Sequence, residues 1–107
     1  FYGCSNLASV NILDGVKGIG IAAFADCGSL KNVNLSNSLT SIRDYAFSGC
    51  SSLISIKIPA SVTSIGFFAI DGSYSLTIYC EAPSKPDGWV EDWYFSGTII
   101  WNYKDKN

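Results

Sequence analysis

The sequence predicts one solenoid domain of α/β class, mostly β, with about four stacked coils of 23 residues and an aromatic C-terminal cap. Three observations predict it. Apolar residues recur at a constant 23-residue step, the last apolar pair of each unit alternates with polar residues, and the chain is unusually apolar for its length. Of its 107 residues, 48% are hydrophobic and 15% charged, against about a quarter charged in an ordinary soluble domain. Disorder is excluded, because so much apolar surface collapses rather than staying solvated. The apolar stretches are a few residues long, far short of the ~20 that a membrane-spanning helix needs, so membrane insertion is not expected. A net charge of −2 offers no basic footprint for nucleic acid. The chain has no histidine, which removes imidazole catalysis and histidine metal ligation. It has no methionine either, and the expectation is a processed product or a fragment of a longer chain.

The columns are explicit. Phe1, Phe24 and Phe47 are followed by Ile70; Cys4, Cys27 and Cys50 by Ser73; Leu7, Leu30 and Leu53 by Leu76. Val10, Val33 and Ile56 form another column, and Ile12, Leu35 and Ile58 the next. The second half of each unit repeats through Val16, Leu39 and Val62, then Ile19, Ile42 and Ile65, then Ala23, Ala46 and Ala69. A period of this size lies in the leucine-rich-repeat window of roughly 20–29 residues. Units begin near residues 1, 24, 47 and 70, so repeats span 1–79 and the cap spans 80–107.

Each unit then resolves into elements. Ser55-Ile56-Lys57-Ile58 has the period-2 alternation of a strand with one buried face, and Pro59 ends it by removing a backbone donor. Val62 to Gly66 turns two more apolar residues inward, as a second short strand or a tight helical turn. Arg43 to Phe47 reads as one helical turn closing at Ser48-Gly49, where glycine permits the bend. One long helix over the unit is disfavoured, because its spacers are the poor helix formers Gly, Ser and Asn. A single coil cannot bury its own apolar residues, whereas stacked neighbours can. In the fourth unit, Leu76 to Tyr79 shortens the strand segment by about one residue, and the repeat is lost after it. Trp89, Trp93 and Trp101 in the tail suggest a lid over the end of the stack. No such cap precedes Phe1, so further coils are expected upstream, and the open first coil invites self-association through its strand edge.

With these residues in place, Phe47 through Ala69 resembles the BspA-type leucine-rich repeat pattern F-x-x-C-x-x-L-x-x-I-x-I-P-x-x-V-x-x-I-x-x-x-A. The first two units follow it with Leu13 and Ser36 where proline is usual. Tyr79-Cys80-Glu81-Ala82, Gly88-Trp89 and Ile100-Trp101 also resemble the closing segment of such proteins. The resemblance implies a bacterial protein, extracellular or at the cell surface, associated with adhesion to host or matrix. It carries no catalytic residues.

The chemistry-bearing residues each have two readings. Cys4, Cys27 and Cys50 share one inward column, where parallel side chains disfavour a disulfide dihedral, so buried free thiols are expected; Cys80 stands outside it. Zinc is disfavoured by the 23-residue spacing, and no metal or cofactor is expected. Trp89 and Trp93, four apart, with Trp101 form an aromatic patch that would either stack on sugars or cover the last coil, and the covering role is preferred. Asp26, Asp44, Asp71, Glu91 and Asp92 occupy different repeat positions and do not form the carboxylate pair of a glycosidase. If Val10 and Ile12 point inward, then Ser9, Asn11, Asn32, Asn34, Ser36, Ser55 and Lys57 line the outward strand face, with Leu13 and Pro59 beside them. That face is either a binding surface of the kind solenoids use or merely solvated, and sequence alone leaves the two level. The leading function is therefore a noncatalytic adhesion-type module engaging protein or glycan. The alternative is a spacer with no ligand, and a hydrolase ranks last.

Overall fold

The computed structural model describes residues 2–72, 75–94 and 96–104; Phe1, Ser73 and the last three cap residues lie outside them. Each coil lays one four-residue strand on the main face: β1 (Ser9–Ile12), β3 (Asn32–Leu35), β5 (Ser55–Ile58) and β7 (Thr77–Cys80). A two-residue strand follows on the second wall of the first three coils: β2 (Gly18–Ile19), β4 (Ser41–Ile42) and β6 (Ser64–Ile65). That decides the open choice at Val62 to Gly66 in favour of a short strand. All pairings are parallel. β1 aligns with β3 at Val10↔Val33, β2–β4–β6 align at Ile19↔Ile42↔Ile65, and β5 aligns with β7 at Ile56↔Ile78. The last register is a 22-residue step, so the fourth strand segment is one residue short, as its sequence indicates.

The core is the set of columns. Leu30, Leu53 and Leu76 are buried, as are Ile42, Ile65, Ala46 and Ala69. Phe24 and Phe47 stack with centroids 5.4 Å apart and planes 7° from parallel, a pairing worth about 0.5–1.5 kcal/mol beyond its buried area. In the first coil Leu7, Val10 and Ile12 are only partly buried.

Arg43 to Phe47 is not an α-helical turn, and no helix occurs among the described residues. Ala46 N–H and Ser48 N–H reach back three residues, to Arg43 and Tyr45 carbonyls, while Tyr45 N–H donates to Phe67 of the next coil (3.0 Å). Ala22 N–H and Phe68 N–H likewise donate to Asp44 and Asp92. Ala22, Tyr45 and Phe68 all take left-handed φ, at 55°, 61° and 45°, which costs a non-glycine residue about 1–2 kcal/mol. Bonding between coils outweighs that cost, and it leaves no i−4 ladder to make a helix.

The tail closes the stack with its aromatic cluster, as expected, and does so by extending the coil path. β8 (Thr98–Ile100) adds in parallel to β7, with Ile78↔Ile99. Trp89 bridges to Ile65 and Tyr94 to Ile70, and Ile70 N–H donates to Trp93 carbonyl as Phe47 N–H does to Ala69. Trp89 thus continues the isoleucine column and Trp93 the alanine column. Gly88 permits this approach, because a Cβ there would fall on the Thr63 carbonyl. The aromatic cluster closes the C-terminal end from within the coil path. Its steps of 24 and 21 residues hide it from a 23-residue search.

Leu53 is fully buried, with a covered coil on either side. Leu53→Ala is expected to lower stability by about 2–5 kcal/mol in denaturant unfolding; a change well under 1 kcal/mol would place it outside the core.

Candidate functional site: a slot in the polar strand face

The outward strand positions assemble as the alternation requires. Ser9, Asn11, Asn32, Asn34, Ser55 and Lys57 are exposed and Ser36 is half-buried. Ser9 lies beside Asn32 and Asn11 beside Asn34. Asn34 Nδ2 donates to Asn11 Oδ1 at 2.6 Å, and Ser36 Oγ donates to the Leu13 carbonyl. Further along the same row Lys57 aligns with Tyr79, its ammonium 5.5 Å from the Tyr103 ring centroid. The Tyr79 and Tyr103 rings are 4.9 Å apart. Pro59, grouped with the outward residues by alternation, is instead buried.

The main sheet is interrupted within this face. Among the described residues β1 pairs with β3, β5 with β7 and β7 with β8, but no ladder joins β3 to β5. The coils that carry β3 and β5 are nevertheless held together elsewhere. β4 pairs with β6, Thr63 N–H donates to Thr40 carbonyl, and Ser52 Oγ donates to Gly28 carbonyl at 2.6 Å. The result is a slot of about 450 Å³ whose rim includes Asn32, Asn34, Asn37, Ser55, Lys57 and Glu81, within the range of about 300–1,000 Å³ typical of small-molecule clefts.

Main-chain alternation says what faces into it. Asn32 N–H is committed to Ala8 carbonyl in the first coil, so the neighbouring Val33 and Leu35 groups point toward the third. Ile54 carbonyl accepts from Thr77, so Ser55 points back toward the second. Pro59 explains one end of the opening. At the next step Glu81 N–H donates to Ile58 carbonyl at 3.1 Å; the residue one coil earlier is Pro59, which has no N–H to offer Leu35. Sequence reasoning reached the strand-face residues but not the slot, although that proline was the visible signal.

Several of the remaining candidates are occupied by structure. Trp89 and Trp93 are each 1% exposed, and Trp89 Nε1 donates to Val62 carbonyl at 3.1 Å, so neither indole serves as a stacking platform. Trp101 is half-buried, 5.8 Å from Trp89 and 6.2 Å from Trp93 by ring centroids. Asp44 Oδ1 accepts from Phe67 N–H and Glu81 Oε1 from Ala60 N–H; these carboxylates serve the backbone. All four cysteines are free thiols. Cys50 Sγ donates to Phe24 carbonyl at 3.3 Å. Burial, then the neighbouring Cys27, pushes its thiol up to about 12. Burial alone takes Cys80 to about 12, where it continues the Ile58 column.

Three comparisons with known proteins place this architecture. A family model described as BspA type leucine rich repeat region (6 copies) matches residues 1–87. The chain is 36% identical to a leucine-rich cell surface protein from Faecalibacterium prausnitzii A2-165, with a TM-score of 0.73 over 86% of this chain and 24% of that one. It is 31% identical to a leucine-rich repeat protein from Bacteroides ovatus ATCC 8483, with a TM-score of 0.63 over 83% of this chain and 28% of that one. The chain thus spans about a quarter of the length of either. No curated protein matches it.

Two predictions come from this geometry. Pro59→Ala restores the missing donor, and the new amide at 59 should exchange slowly with solvent if it bonds Leu35 carbonyl. The thiols of Cys50 and Cys80 have raised folded pKa values, so the folded state disfavours their thiolates. Stability should be level below about pH 9, where these thiols would ordinarily begin to ionise, and fall progressively toward about 12. Unfolding followed across that range checks it, and Cys50→Ala with Cys80→Ala should flatten the slope.

Proposed function

The chain belongs to the BspA-type leucine-rich repeat family, and we propose that it is a noncatalytic binding module of a bacterial cell-surface or secreted protein. It engages a protein or glycan of host or matrix through the outward strand face. The observation that carries this reading is the interruption of the main sheet. A purely structural stack gains from a continuous ladder, whereas here polar side chains in register border an opening with main-chain groups directed into it. The name of the Faecalibacterium prausnitzii relative, a cell surface protein, supports the location. The use of the Asp44 and Glu81 carboxylates in main-chain hydrogen bonds supports a noncatalytic role.

Binding to panels of matrix proteins and glycans tests it, with a variant carrying Asn34→Arg and Lys57→Glu measured beside the parent. Both positions are exposed, so unfolding midpoints should stay close. The expected outcome is binding by the parent, weakened at least tenfold in the variant. Equal binding by both would remove the strand face from the function, and silence from both would leave a spacer.

A further inference from the structure

We propose that the slot between β3 and β5 is a subsite for one neutral sugar ring, and this rests on the strand face being the binding surface. The slot is too constrained for a polypeptide strand. Inserting one would part the two coils by a further ~4.8 Å, yet on the opposite wall Ser41↔Ser64 and Ile42↔Ile65 remain paired, and Thr63 N–H holds Thr40 carbonyl at 2.9 Å. A compact ligand resting among the rim side chains leaves the coils where they are.

The rim chemistry selects the ligand class. Asn32, Asn34, Asn37 and Ser55 each carry both a donor and an acceptor, which suits hydroxyl groups that also do both. Asn34 spends one amide hydrogen on Asn11 and keeps its carbonyl oxygen for a ligand. The Val33, Leu35 and Ser55 main chain adds fixed donors and acceptors deeper in. Lys57 and Glu81 bring opposite charges to the same rim, so the site has no net preference for an anionic sugar. Of the apolar lining residues, Val33, Ile56 and Pro59 are buried and Leu35 is half-buried, which leaves little exposed anchor for an apolar peptide side chain. Beside Lys57, the Tyr79 and Tyr103 rings offer an aromatic surface to the C–H face of a pyranose or of the next ring in a chain.

Saturation-transfer NMR on this chain tests the assignment with neutral oligosaccharides of glucose, galactose, mannose and N-acetylglucosamine. A heparin-derived oligosaccharide and an extended matrix-protein peptide are the other arms. Transfer to at least one neutral sugar is expected, with affinity reduced at least tenfold by Asn37→Ala combined with Ser55→Ala, and again by Tyr79→Ala. Pro59→Ala, which offers a donor to the Leu35 carbonyl at one end of the slot, should reduce it as well, provided the variant keeps its circular dichroism and unfolding transition. Neutral-sugar binding that ignores all of these substitutions overturns the subsite, as does binding of the heparin or peptide arm alone. If a matrix protein binds and the Asn34→Arg, Lys57→Glu variant loses it while no neutral sugar registers, the strand-face function stands and the subsite falls. If nothing binds, both fall.

Discussion

The structure depends on hydrogen bonding from each coil to the next. Among the described residues a coil has no helix and no antiparallel partner of its own, so its main-chain donors find acceptors one coil away: Phe24 to Ala46, Phe47 to Ala69, Ile70 to Trp93. Buried backbone groups have to be paired, and this pairing sets the step between equivalent residues. Once the step is set, like residues superpose, and the apolar columns follow as a consequence. Polar side chains extend the same scheme where the backbone alone does not reach. Thr40 Oγ1 donates to Lys17 carbonyl and Ser61 Oγ to Leu39 carbonyl, each one coil back.

The same constraint explains features that look unfavourable locally. Tyr45 and Phe68 hold left-handed backbone angles because the corner has to aim its N–H groups along the stack. Buried thiols sit comfortably in the core because Cys27 and Cys50 act as small polarizable spacers, one of them hydrogen-bonded to a carbonyl. The tail obeys the rule too. Trp89, Trp93 and Trp101 look in sequence like a separate cap, yet Trp89 and Trp93 enter columns begun by Ile19 and Ala23, with large rings filling space beyond the last regular coil.

The proposed binding role rests on a lapse of that pairing among the described residues. Between β3 and β5 the second wall and the corner remain bonded while the main face opens, so the stack keeps its spacing and gains a recess lined by amides and hydroxyls. Pro59 contributes twice: its ring is buried, and its missing N–H leaves Leu35 carbonyl without the partner that Ile58 finds in Glu81. The recess is thereby built from the repeat itself.

Much of this was legible in the sequence, for a physical reason. Burial between neighbouring coils requires like residues at like positions, so the 23-residue columns encoded the solenoid, its inward residues and its outward Ser-Asn face directly. What depends on hydrogen-bond geometry rather than on burial was not legible. The corner at Arg43 to Phe47 reads as helical by local pattern, yet bonding between coils makes it a left-handed turn. The tail breaks the periodicity by one or two residues per coil, so its tryptophans read as a lid until strand pairing placed them in the columns. The slot was the least visible, because the outward residues on both sides of it are the same in kind. Only the tertiary structure decides whether two neighbouring strands pair or stand apart, since that outcome is a balance among all the contacts the two coils make around their circumference.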